Sequence, residues 1–215
     1  MAELKISVAM IVQDEEVCIE RALATIHDHD VVGEIVIVDG GSTDRTKEIA
    51  MGFDKVAVHS IPFRPAAGDR FDVQRNHSIV LTRNAWILVM DADEEYDVDL
   101  MDALPSLMQP ETIGNPYNTD AYAFSRRTFI DGRLANPCNN DWQTRFFKHY
   151  CRYNGAMHEG VTGFSHWVTT NLHIRHAKTT EWQQKDNERV WRMGQEMPKG
   201  WHYDEENDKF FYEAE

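Results

Sequence analysis

Four short segments of this chain are almost wholly apolar, and stretches with helical spacing separate them. They span residues 6–12, 35–38, 56–61 and 86–90. A strand with one wet face alternates apolar and polar residues, whereas a strand covered on both faces does not need to. Ile-Ser-Val-Ala-Met-Ile-Val at 6–12 is of the second kind. After it, Asp14-Glu15-Glu16 places acids where a helix dipole favours them, and Ile19, Ala22, Leu23 and Ile26 follow at helical spacing. Gly40-Gly41-Ser42-Thr43-Asp44 then reads as a turn capping a second helix that turns Ile49, Ala50 and Phe53 inward. Residues 69–81 read as a third helix. Strand and helix in alternation, with buried strands, predict an α/β fold whose central sheet is mostly parallel and carries helices on both faces.

The second half has a different grain. A helix is expected over 99–108, and a long strand over 122–130 that turns at Asp131-Gly132 and returns as a hairpin. Aromatics and histidines crowd the stretch 142–176, which is expected to build a wall over the sheet. The tail from Glu181 reads as helical and then polar and acidic. At 215 residues the whole is expected to be one domain, with a nucleotide-binding half at 1–95, an acceptor-side half at 96–180 and the tail at 181–215.

The formal net charge of −14 disfavours non-specific binding to nucleic acid or anionic lipid, and Arg126, Arg127 and Arg133 read as a solvated loop. Cys18, Cys138 and Cys151 include no CxxC pair, so a zinc ribbon is not supported. Reduced thiols, with Cys18 in the core, fit a cytoplasmic protein. The first five residues lack a basic leader and cleavage site, so no signal peptide is expected, and no apolar run is long enough to span a bilayer.

Ligands of open α/β sheets bind beyond the carboxyl ends of the strands. Two of the four strands end there in aspartate, Asp39 and Asp91. In Asp91-Ala92-Asp93, residues two apart on an extended segment point to one side. Two carboxylates so placed repel each other unless a cation lies between them, and hard oxygen ligands suit Mg2+ or Mn2+ completed by phosphate oxygens. A Rossmann dinucleotide site needs glycines after the first strand, where this chain has Gln13-Asp14-Glu15-Glu16. A haloacid dehalogenase phosphatase places its DxD on the first strand, whereas here it follows the fourth.

These segments together resemble the GT-A fold of family 2 glycosyltransferases. The resemblance runs through residues 8–16, the turn at 35–44, Gln74-Arg75-Asn76 and the metal motif at 88–94. Arg145-Phe146-Phe147 and His158-Glu159-Gly160 resemble the acceptor-side segment of a bacterial subgroup that includes lipopolysaccharide-core glucosyltransferases. Residues 5–176 are covered in all. The resemblance implies transfer of a sugar, with inversion, from a nucleotide-diphosphate donor to an acceptor hydroxyl. It implies donor contacts at Val12, Asp14, Glu15, Asp39, Gly41, Arg75, Asp91 and Ala92, with Asp39 accepting the imide N–H of uracil or thymine, so that a UDP-sugar is favoured. It implies Mn2+ or Mg2+ held by Asp91, Asp93 and His176.

Family members often take the acceptor proton with the aspartate of a Glu-Asp pair, which this chain lacks after the hairpin. Glu159 is the candidate base, with His158 beside it to orient or replace it and Asp141 as the second candidate. A glycan is the default acceptor, and a nucleic-acid acceptor is disfavoured by charge. Two other readings stay open: a GT-A-fold module that binds nucleotide or glycan without turnover, and a nucleotidyltransferase.

Overall fold

The computed structural model describes residues 4–109, 118–135, 141–155, 159–184, 201–204 and 209–212. In chain order the first half contains β1 (Ile6–Val12), α1 (Ile19–Ala24), β2 (Val32–Asp39), α2 (Thr46–Ala50), β3 (Val56–Ser60), α3 (Phe71–Val80) and β4 (Trp86–Val89). The second half continues with β5 (Glu94–Tyr96), α4 (Val98–Met108), β6 (Ala121–Ile130), β7 (Arg133–Leu134), β8 (Asp141–Lys148), β9 (Arg152–Asn154), β10 (Gly160–Thr162), β11 (Trp167–Lys178), β12 (Trp201–Asp204) and β13 (Lys209–Tyr212).

The four apolar segments form the parallel part of one sheet, in the order β3-β2-β1-β4. Each face of it buries its own core. Even-numbered residues of β1, with Leu88 and Met90, pack against α1 and α4, through Ile19, Leu23, Leu100, Met101 and Leu104. Ala9, Ile87 and Val89 point the other way, toward Ile79 of α3 and toward Phe147, Cys151 and Tyr153. Burial on both faces is why β1, β2 and β4 show no alternation, while β3 at the sheet edge is only partly buried.

The second half extends this sheet instead of walling it over. β8 joins β4 antiparallel, and β6, β11 and β5 follow, giving the order β3-β2-β1-β4-β8-β6-β11-β5 with β7 hairpinned onto β6. Adjacent residues of β8 serve the two faces: Phe146 enters one core and Phe147 the other. Phe146 stacks on Trp86 at 4.8 Å between ring centres and neighbours Tyr122 at 6.1 Å. The hairpin at Asp131-Gly132 forms as expected, with φ of +49° and +76° at the two turn residues.

Three local expectations change. Asp14 to Glu16 do not open α1, which begins at Ile19, because Asp14 takes a left-handed φ of +56° and the segment turns toward the β2–α2 loop. β5 and β11 were not expected, since three residues and a mixed polar strand give no apolar signature. In the tail, residues 180–184 are helical, but β12 and β13 pair as an antiparallel hairpin where an acidic tail was read.

Phe146→Ala should lower the unfolding free energy by about 3–5 kcal/mol, because it empties a stacked position fully inside the core. Urea titration would measure it, and a loss below about 1 kcal/mol would contradict this packing.

Candidate active site

The loops after β1 and β2 hold one another. The amide of Asp14 donates to Ser42 Oγ at 2.9 Å, and that of Thr43 donates to Asp14 Oδ1 at 2.7 Å. The Glu15 amide donates to Thr46 Oγ1 at 2.7 Å, and the Glu16 amide to Asp44 Oδ2 at 3.0 Å. Asp39 is fully buried in its own turn, where it accepts the amides of Gly41 at 3.2 Å and Ser42 at 3.0 Å. Gly41 has a φ of +106°, a conformation side chains resist, so the turn needs glycine there.

This clasped rim borders a cleft of about 180 Å³. Val12, Glu15, Gly40, Arg75, Asp91, Ala92 and Asp93 line it, as do Gln74, Trp182 and the touching rings of Phe63 and Phe71. Of the donor contacts expected from sequence, Asp14, Asp39 and Gly41 lie outside the lining: they spend their polar groups shaping the rim.

At the floor, Asp91 is gripped by two arginines. Arg75 Nη1 donates to Asp91 Oδ1 at 2.7 Å, and Arg145 Nη2 donates to Asp91 Oδ2. Arg145 Nη2 also donates to Glu94 Oε1 at 2.7 Å, and Glu94 Oε2 accepts the Asp91 amide at 3.1 Å, closing the Asp91–Glu94 turn. Burial disfavours the Asp91 carboxylate, but Arg145 and Arg75 outweigh it and hold its pKa well below the ordinary range. Glu94 goes the other way, pushed up by burial and by Asp91 despite Arg145.

Asp93 faces a different partner. β11 pairs with β5 so that His176 lies opposite Glu94, and His176 Nε2 comes to 2.7 Å from Asp93 Oδ2. His176 Nδ1 is 3.0 Å from Thr128 Oγ1, which fixes the ring. Lys178 Nζ is 3.5 Å from the same Asp93 oxygen. Burial would raise the Asp93 pKa, but the His176 hydrogen bond and the charges of His176 and Lys178 bring it down to about 2. An ionised carboxylate and an imidazole side by side suit a divalent cation that takes its other ligands from phosphate. Each Asp91 oxygen accepts an arginine in this structure, and among the described residues no three His, Cys, Asp or Glu side chains converge on one cation position.

A second cleft, of about 350 Å³, opens on the other side of Arg75 and Asp91. Arg126, Trp142, Thr144, Arg145, Tyr153 and Glu159 complete its walls. Arg75 spans both clefts: Nη1 holds Asp91, and Nε donates to Glu159 Oε1 at 2.5 Å. Burial works against the Arg75 charge, yet Asp91, helped by Tyr153 and Glu159, leaves its pKa above the usual arginine value. Asp141 is not in the lining; it is paired with Arg126 at 2.7 Å. His158 and Cys138 fall outside the described residues. Sequence alone gives no partner for Glu94 or Lys178, and Arg126 lies on β6 paired with Asp141 of β8, not in a solvated loop.

The family model described as Glycosyl transferase family 2 matches residues 7–165. The chain belongs to glycosyl transferase family 2. An uncharacterized glycosyltransferase of Rickettsia bellii is 30% identical over 178 residues, covering 80% of this chain and 53% of its own length. A TPR repeat-containing protein of Synechococcus elongatus is 37% identical over 113 residues, 52% of this chain and 26% of that protein. This chain therefore spans about half or less of the length of those curated relatives. Among solved structures, glucosyl-3-phosphoglycerate synthase of Mycobacterium tuberculosis, crystallised with Mn2+, UDP and glucosyl-3-phosphoglycerate, aligns with a TM-score of 0.55 at 17% identity. The alignment covers 98% of this chain and 88% of that one, and it shows the GT-A fold. No helix among the described residues is long and apolar enough to cross a membrane.

Arg145→Met should cost about 3–5 kcal/mol of stability, because it strands the carboxylates of Asp91 and Glu94. Adding Glu94→Gln should recover part of that loss in urea titrations. A cost below about 1 kcal/mol for the single variant would contradict the lattice described.

Proposed function

We propose that the chain transfers a sugar from a UDP-sugar to an acceptor hydroxyl, with inversion at the anomeric carbon. The observation that carries this reading is the meeting of two clefts at Arg75 and Asp91. One has an aromatic, partly apolar lining suited to a nucleoside, with Asp93 at its phosphate end; the other is polar and suited to an acceptor. The solved relative with Mn2+ and UDP supports both the donor class and a divalent metal. In this chain Asp93 and His176 would hold the cation, which when bound offsets the charge gathering on the departing diphosphate.

The base lies against Phe63, Phe71 and Gly40, in the wall that Asp39 braces from behind. The sugar and its phosphates sit at the junction of the clefts, which Arg75 and Asp91 line. The acceptor hydroxyl enters from the second cleft, opposite the diphosphate. Its oxygen forms the new bond to the anomeric carbon as the bond to the phosphate oxygen breaks. Glu159, whose carboxylate lines that cleft on the acceptor side, takes the hydroxyl proton. Arg75 aims Glu159 through the 2.5 Å contact. Trp142 and Thr144 beside it suit a saccharide acceptor, and a bacterial surface glycan made in the cytoplasm is the acceptor we propose.

Glu159→Gln keeps the shape and removes the base. It should bind UDP with Mn2+ as the parent does, by calorimetry, while UDP release from UDP-sugar in the presence of acceptor falls about 100-fold or more. Turnover within about threefold of the parent would remove Glu159 from this role.

A further inference from the structure

A single exposed aromatic ring is common on protein surfaces and means little by itself. Trp167 differs in where it stands and in how it is held. It opens β11 and is 43% exposed, yet its indole N–H donates to Thr144 Oγ1 at 2.9 Å. Thr144 lies on β8 and lines the second cleft, as does Trp142 two residues before it. β6 runs between β8 and β11. Along it, Ala121 pairs with Trp167, Ala123 with both Thr144 and Thr169, and Ser125 with Trp142. Paired residues share a face of a sheet, as do residues two apart on one strand. Trp142, Thr144, Trp167 and Thr169 therefore stand on one face. Ala121 and Ala123 carry only methyl groups, which leave the indole room to reach across β6 to Thr144. The ring is thus fixed at the rim of the second cleft, just outside its lining.

We infer that Trp167 is a platform for a sugar residue beyond the one that bears the acceptor hydroxyl, so that the acceptor is a saccharide of two or more residues. This deepens the acceptor reading above and rests on it. A sugar ring has a face of C–H groups that packs on an aromatic ring, and hydroxyls around its edge that need polar partners. Trp142 offers such a ring inside the cleft, and Trp167 offers a second one outside it. A patch for an apolar peptide would surround the rings with aliphatic side chains. This face instead places Ser125, Thr144 and Thr169 among them, which suits a ligand rich in hydroxyls. The tether to Thr144 orders the indole before a ligand arrives and so lowers the entropy lost on binding.

The test probes an array of bacterial surface saccharides of graded length, from single sugars upward, with the parent, Trp167→Leu and Trp167→Phe in the presence of UDP and Mn2+. Leucine still covers Ala121 and Ala123 but has no flat ring, whereas phenylalanine keeps one, so a purely structural role would treat the two alike. The parent should bind longer saccharides in preference to the single sugars that end them. Calorimetry on the best-bound saccharide should give an affinity about 3- to 10-fold lower in Trp167→Leu and within about twofold of the parent in Trp167→Phe. Binding of the single sugar, and of UDP, should be the same in all three proteins. Equal affinity of the parent for single sugars and longer saccharides, no loss in Trp167→Leu, or equal losses in the two variants overturns the inference and leaves the saccharide acceptor standing. A parent that binds UDP but no saccharide of any length overturns the saccharide acceptor itself, and this inference with it.

Discussion

Asp91 between Arg75 and Arg145 is the contact on which the rest of the site depends. A carboxylate at the end of the central strand would be costly to bury alone, and two guanidiniums make it permanent. Each arginine then carries the constraint onward. Arg145, on β8, ties the antiparallel half of the sheet to the turn after β4 through Glu94. Arg75, on α3, reaches across to Glu159 and so fixes the carboxylate of the second cleft relative to the first. The two binding surfaces are therefore registered by charged pairs that are themselves largely shielded from water, and little reorganisation is needed when ligands arrive.

The same arrangement divides the labour of the acidic motif. Asp91 is an anchor, held ionised by arginines, whereas Asp93 has softer partners in His176 and Lys178 that a cation can displace or share. The two carboxylates of one short motif thus have different work because different strands deliver their partners. β8, paired with β4, brings Arg145 to Asp91; β11, paired with β5, brings His176 to Asp93.

The sequence was most informative where one physical requirement dominated. Strands buried on both faces left unbroken apolar runs, so β1, β2 and β4 and the aspartates at their ends were legible. The Gly41 turn and Arg75 were legible through the family pattern. Sequence was least informative where a residue's role depends on a partner far along the chain. His176 meets Asp93, 83 residues away, only because β11 pairs with a three-residue strand that has no pattern of its own. Asp39 accepts two amides of its own turn, contacts that depend on loop geometry and not on residue type. The aromatic stretch at 142–176 looked like a cover, but alternate residues of β8 had to fill both cores, which placed that strand within the sheet.

On the function proposed, the first cleft takes a uridine diphosphate with a divalent cation at Asp93 and His176. The most direct measurement is the thermal stability of the protein with UDP, dTDP, GDP, CDP or ADP, each with Mn2+ or with chelator. A ligand that binds only the folded state raises its midpoint. A rise is expected with UDP or dTDP that disappears with chelator, with little response to the other nucleotides. A well-folded protein that responds to none of them, or to all of them alike without metal, would contradict it.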